Sequence, residues 1–150
     1  MAANTSPIYS LTPNINGAEI TTANTNSDGS GTIGTNLFKI YTAGANGSYV
    51  SVIRWSAVAT TAATATAATV GRLFISSLTT NTITTPGTNV WLLAEYGLAS
   101  QSADNSGTAT FFIEVPIYKA IPATWCLLAT THAAANANTG WQVVVYGGDY

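Results

Sequence analysis

The sequence predicts an all-β fold: an antiparallel β-sandwich of about eight strands, jelly-roll-like, preceded by an extended N-terminal arm. Three observations carry the all-β class, in a spacing that suits a sandwich or barrel. Short segments rich in β-branched and aromatic residues recur along the chain, separated by Gly, Asn, Pro and Ser. No stretch carries the apolar spacing of an amphipathic helix. At 150 residues and 47 % hydrophobic composition the chain can bury a real core as one domain, and its low net charge argues against disorder.

Residues 1–17, "MAANTSPIYSLTPNING", carry Pro7, Pro13 and several Asn without strong periodicity, which reads as the extended arm. Within it Ile8, Tyr9 and Leu11 are side chains that could anchor on a neighbouring surface; otherwise the segment lies along its own domain. The sandwich domain is expected over 18–150, with strands at 18–24, 36–43, 49–58, 71–78, 89–98, 108–118, 124–132 and 140–148. Residues 23–35, "ANTNSDGSGTIGT", read as a loop from their composition.

Alternation assigns faces. Phe111, Ile113, Val115 and Ile117 oppose Phe112, Glu114, Pro116 and Tyr118. Val90, Leu92, Ala94 and Tyr96 oppose Trp91, Leu93 and Glu95, and Trp141, Val143 and Val145 oppose Gln142, Val144 and Tyr146. Neither side is cleanly polar, so such strands lie between layers or against another subunit. Pro116 predicts a bulge or an edge, because proline cannot donate to a ladder.

The uncharged run "WSAVATTAATATAATVG" (55–71) lies between Arg54 and Arg72. As a helix its 17 residues would reach about 25 Å at a rise of about 1.5 Å each. That is short of a hydrocarbon core of about 30 Å. It offers no Leu or Ile stripe, and Thr60, Thr61, Thr64, Thr66 and Thr69 disfavour a helix. Residues 59–69 therefore read as a crossing between strands, with an extended piece at "ATATA". A loop this small and neutral, with Thr64 and Thr66 at its centre, is suited to lie against another subunit.

Several chemistries lack their residues. Four basic and six acidic side chains, without a basic cluster, leave no electrostatic footprint for nucleic acid. The stretch "NTNSDG" (24–29) starts like a calcium loop, but its twelfth position is Thr35 rather than a bidentate acid. One histidine, His132, and one cysteine, Cys126, cannot build a multi-ligand zinc site. There is no nucleophile elbow, phosphate-binding loop or dinucleotide fingerprint. The expectation is a protein that is not an enzyme and carries no metal or cofactor. Cys126, inside an apolar run, reads as a buried, inert thiol. The N-terminus has neither the basic nor the apolar region of a secretory signal, which predicts synthesis in a reducing cytoplasm. The four tryptophans, Trp55, Trp91, Trp125 and Trp141, fit either core and subunit contacts or a sugar-stacking platform.

"GRLFISS", "NVWLLAEYGL" and "LLATTHAAANANTGWQVVVYGGDY", spanning 71–150, resemble small β-sandwich proteins of tailed-bacteriophage structural gene clusters, in particular capsid decoration or cement proteins. The resemblance rests on "WLLAE", "ANTGW" and the terminal "GGDY". It implies a virion protein, made in the host cytoplasm, that sits as a trimer on the outer capsid surface. Its partner would be the phage major capsid protein, with no nucleic acid and no membrane. Under that reading Ile8, Tyr9 and Leu11 anchor the arm on the capsid, and Trp91, Trp141, Tyr146, Thr64 and Thr66 lie at or under the subunit interface. The rival expectation is a receptor- or glycan-binding module of a head or tail fibre.

Overall fold

A computed structural model describes residues 12–60, 64–84, 87–103 and 111–150. The described residues form strands and connections, without a helix. In chain order the strands are β1 (Thr12–Ile20), β2 (Gly31–Thr32), β3 (Phe38–Thr42), β4 (Ser48–Ala59), β5 (Thr64–Ala65) and β6 (Thr69–Ser76). They continue with β7 (Thr82–Ile83), β8 (Val90–Leu98), β9 (Ser102–Ala103), β10 (Phe112–Ile121), β11 (Cys126–Thr131) and β12 (Thr139–Asp149). The long strands make two four-stranded sheets, ordered β1-β12-β4-β10 and β3-β11-β6-β8, while β2 pairs with β7 and β5 with β9. Every strand pair is antiparallel.

The alternation of the strands explains where the core sits. Ile53, Trp55 and Ala57 of β4 and Trp141, Val143 and Val145 of β12 pack with Ile40 and Tyr41 of β3, Leu73 of β6 and Leu127 and Ala129 of β11. A fully buried aliphatic or aromatic side chain contributes about 1.5–3 kcal/mol. A second cluster of Leu37, Phe74, Ile83, Val90, Cys126 and Leu128 covers the opposite face of β3-β11-β6-β8. Leu127 and Leu128, adjacent on β11, belong to different clusters, and all six residues of β11 are buried. An apolar run with no polar face is the signature of a strand between two layers.

The structure corrects two expectations. The first strand begins at Thr12, so the arm boundary at 17 falls inside β1, whose partner is β12 from Asp149 to Trp141. A single alternation along β8 fails because the β6–β8 register shifts between Leu73 and Phe74, which leaves Leu93 as an extra residue. Val90 then joins the second cluster, whereas Leu93, Ala94 and Tyr96 all pack on the first. Within the crossing at 59–69 the extended piece expected at "ATATA" is present as β5, where Thr64 and Ala65 pair with Ala103 and Ser102. The bulge that Pro116 predicts is present, between Pro116 and Lys119 on the edge strand β10. Tyr118, inside it, has φ 49.

One polar knot ties both chain-end strands to the sandwich. Asp149 accepts hydrogen bonds from Ser48 Oγ, from Asn14 Nδ2 at 2.9 Å and from Tyr41 hydroxyl at 3.4 Å. The Ser48 hydroxyl in turn accepts from the Gly44 amide at 3.0 Å. Burial pushes the Asp149 carboxyl up, but the donors Ser48, Asn14, Gly44 and Tyr41 outweigh it, so its pKa lies below the usual 3.8. Its stabilisation is thus complete above the unfolded-state value and is lost as pH falls through the lower, folded value. We expect Asp149→Ala to cost about 1–3 kcal/mol in urea unfolding at pH 7, because several donors lose one acceptor. The gap between the two proteins should narrow on the acid side of pH 4. Cys126 lies against Leu78 carbonyl oxygen at 3.1 Å, and burial pushes its thiol up to about 11, over smaller opposing pulls from Lys39 and Ser76. A thiol reagent at pH 8 should therefore leave Cys126 unlabelled in the native protein and label it fully in denaturant.

Candidate functional site

The two sheets differ in what covers their outer faces. The outer face of β3-β11-β6-β8 carries the second core cluster. The outer face of β1-β12-β4-β10 carries none of the buried clusters, and its side chains follow from strand register. Four cross-strand rows run over it from β1 to β10. They are Pro13–Gly148–Tyr49–Ala120, then Ile15–Tyr146–Val52–Pro116, then Gly17–Val144–Arg54–Glu114, then Glu19–Gln142–Ser56–Phe112. Ile15 is 62 % exposed and Phe112 51 %. Most of the face is aliphatic, aromatic or glycine, whereas a solvent-facing sheet side is normally polar.

Its centre holds one ion pair. Arg54 Nη2 lies 2.6 Å from Glu114 Oε1, and the guanidinium stands 4.5 Å from the Phe112 ring centroid and 5.8 Å from that of Tyr146. The Glu114 hydrogen bond raises the Arg54 pKa further above its already high value. The pair satisfies two charges without reaching beyond the face. Beside it the surface dips. Gly17, Ala18, Glu19, Gln142, Val143 and Val144 line an open depression of about 280 Å³.

A second exposed feature is aromatic. Trp91 at the start of β8 and Trp125 in the turn before β11 stack with centroids 5.3 Å apart and planes 8° from parallel. Trp91 is 39 % exposed and Trp125 half-buried. Both stand at the open side of the sandwich, between edge strands β8 and β10, where Ile113, Val115 and Ile117 are only partly covered.

The expected site residues separate. Ile8, Tyr9 and Leu11 lie outside the described residues. Trp141 is 2 % exposed in the main core, so it lies under a surface and not on one. Tyr146 is half-buried on the apolar sheet face, while Trp91 belongs to the other side of the molecule. Thr64 lies in β5. Thr66 is 1 % exposed and held by its own chain, its hydroxyl accepting from the Gln101 amide at 3.0 Å. Sequence reading did not single out Arg54, Phe112, Ile15 or Tyr49 as one patch. Their cross-strand alignment depends on pairings between distant segments, although the apolar alternate residues of each strand were its signal.

The remaining clusters are structural. In the 24–30 loop Asn24 Oδ1 accepts from Asn26 N at 2.9 Å and Asp28 Oδ1 from Ser30 N at 2.9 Å, so both side chains serve the turn. No group of three or more metal-ligating side chains occurs among the described residues. Arg72, 6 % exposed, donates to Glu95 at 2.7 Å and to Asn24 carbonyl oxygen at 3.2 Å, with His132 Nδ1 at 3.5 Å. Among the described residues no helix is long and apolar enough to cross a membrane. Comparison with protein-family models, curated proteins and solved structures found no match.

Because the Arg54–Glu114 pair is solvent-exposed, its net contribution to folding is small. We expect Glu114→Gln to leave the urea midpoint unchanged within error, which marks the pair as a feature of the surface rather than of the core.

Proposed function

We propose that this protein is a structural protein of a tailed-bacteriophage virion, a cement or decoration protein that binds the outer surface of the assembled capsid. The observation that carries it is the outer face of β1-β12-β4-β10, where aliphatic, aromatic and glycine residues outnumber polar ones, on a chain with little charge to keep copies apart. Such a surface suits an assembled protein whose work is adhesion, not catalysis. The partner is the major capsid protein, and the fold is an eight-stranded jelly roll. Supporting that fold, the first four long strands β1, β3, β4 and β6 alternate between sheets, and β8, β10, β11 and β12 alternate again. Ile8, Tyr9 and Leu11 grip the lattice, and sheet faces join subunits into a homo-oligomer.

The mechanism is linkage. A protein that binds only the assembled shell stabilises that shell by mass action, and a multivalent oligomer gains from effective concentration. The test is a density map of intact particles, with copy number by quantitative mass spectrometry. Many copies over the outer shell, and earlier thermal release of the genome from particles stripped of the protein, are expected. A few copies confined to a tail or vertex, or none, overturn the reading.

The Trp91–Trp125 pair favours one alternative, a glycan-binding fibre module, because a stacked, partly exposed aromatic pair is a platform for sugar rings. A glycan-array signal removed by Trp91→Ala would replace the cement reading.

A further inference from the structure

The outer face of β1-β12-β4-β10 has a division that register alone reveals. The β4–β10 half carries the raised side chains Tyr49, Arg54, Glu114 and Phe112. The β1–β12 half has Gly148 in the row of Tyr49, Gly17 in the row of Glu114, and the depression beside Gly17 near the row of Phe112. In the Ile15–Tyr146–Val52–Pro116 row this order is inverted, the larger residues lying on the β1–β12 side, as Gln142 is larger than Ser56 and Pro13 than Ala120 in the outer rows.

We propose that this face binds a second copy of itself, through a two-fold axis running along the strands between β12 and β4. That operator keeps each row at its own height and exchanges β1 with β10 and β12 with β4. Tyr49 then stands over the partner's Gly148, Glu114 over the partner's Gly17, and Phe112 over the partner's Glu19 at the rim of the depression. In the inverted row Tyr146 meets the partner's Val52 and Ile15 meets the partner's Pro116. Large side chains face small ones where Tyr49 meets Gly148, Glu114 meets Gly17 and Tyr146 meets Val52, and the residues of each pair are exchanged by the axis, as an isologous contact requires. Sheets packed face to face are about 10 Å apart and rotated by about 30°, so the match is closest near the seam.

Charge agrees with shape. Glu19 has no ion-pair partner among the described residues and leans over Gly140, at the corner of the face. The operator sets the partner's Arg54 over Val144, one row from Glu19, with its guanidinium held by the partner's Glu114 and lying over the partner's Phe112. Four strands at a spacing of about 4.8 Å and four rows about 7 Å apart cover on the order of 500 Å² in projection. Corrugated by Tyr, Phe and Ile, the face approaches the roughly 800 Å² per partner of a standard interface. The contact deepens the subunit-packing part of the proposed function, with an isologous pair in place of the trimer that the resemblance implies.

Sedimentation velocity on the full chain, without any particles, tests it. The wild-type protein should sediment as a dimer in the micromolar range. Phe112→Lys and Ile15→Lys, both at exposed positions, should each give a monomer with an unchanged circular dichroism spectrum. Glu19→Lys should weaken association several-fold. Trp91→Lys, on the other side of the molecule, should leave the dimer intact. A wild-type monomer or trimer, or a dimer insensitive to Phe112→Lys, overturns the inference. A dimer that fails to decorate capsids would sink the capsid reading and leave the self-association standing.

Discussion

The structure depends on one sheet that must be covered on both faces. β11 has no polar side, and its neighbours β6 and β3 supply Phe74, Leu73 and Ile40 to one cluster or the other. Leaving either face of this sheet in water would expose a row of aliphatic side chains whose burial drives folding. The first face is covered by the second four-stranded sheet. The other is covered by the short β2–β7 ladder and its flanking loops, which contribute Leu37, Ile83 and Leu78. The Asn/Gly-rich 24–30 turn has the same purpose: its side chains hold its own backbone so that the connection can lie across an apolar sheet.

Charge is placed where that burial leaves room for it. Arg72 is buried on β6, and its guanidinium is satisfied by Glu95 on the adjacent strand and by the Asn24 carbonyl of the covering loop. Asp149 collects Ser48, Asn14 and Tyr41, joining β1, β3, β4 and β12 at one end of the sandwich. A buried charge such as Arg72 must be paired and hydrogen-bonded, and the half-buried Asp149 is hydrogen-bonded too, so both groups act as clamps between elements distant in sequence. Among the described residues the buried Trp55 ring N–H and the Tyr96 and Thr130 hydroxyls have no hydrogen-bond partner, and burial pushes the Tyr96 phenol up to about 12.

The β1-β12-β4-β10 sheet is covered on one side only, and the composition of its free side separates an interaction surface from an ordinary solvent face. Edge protection is present, with the Pro116 bulge in β10 and Pro13 in β1. Strand addition is thereby discouraged while the broad face stays open. An assembly built on faces rather than edges remains discrete, because a two-fold face contact is closed, whereas edge pairing can propagate.

Strand identity was legible in the chain itself. Seven of the expected segments correspond to long strands and the one at 18–24 overlaps β1 only at 18–20, because β-branched and aromatic runs punctuated by Gly and Asn reflect local preference and turn chemistry. The inward sets Trp141–Val143–Val145 and Ile113–Val115–Ile117 were legible too, since the pleat has a fixed period of two. Local pattern could not supply the register. The extra residue at Leu93 re-aimed half of β8, Thr12–Gly17 became a strand only because β12 offered it a partner, and Thr66 was buried by Gln101. The apolar face likewise exists only once residues as distant as Ile15, Val52, Phe112 and Tyr146 are aligned. Sequence alone therefore determined which residues form strands and which alternate sets are apolar. Tertiary pairing decided which of those sets would be covered and which left facing outward, because hydrogen-bond register between distant strands is a non-local choice.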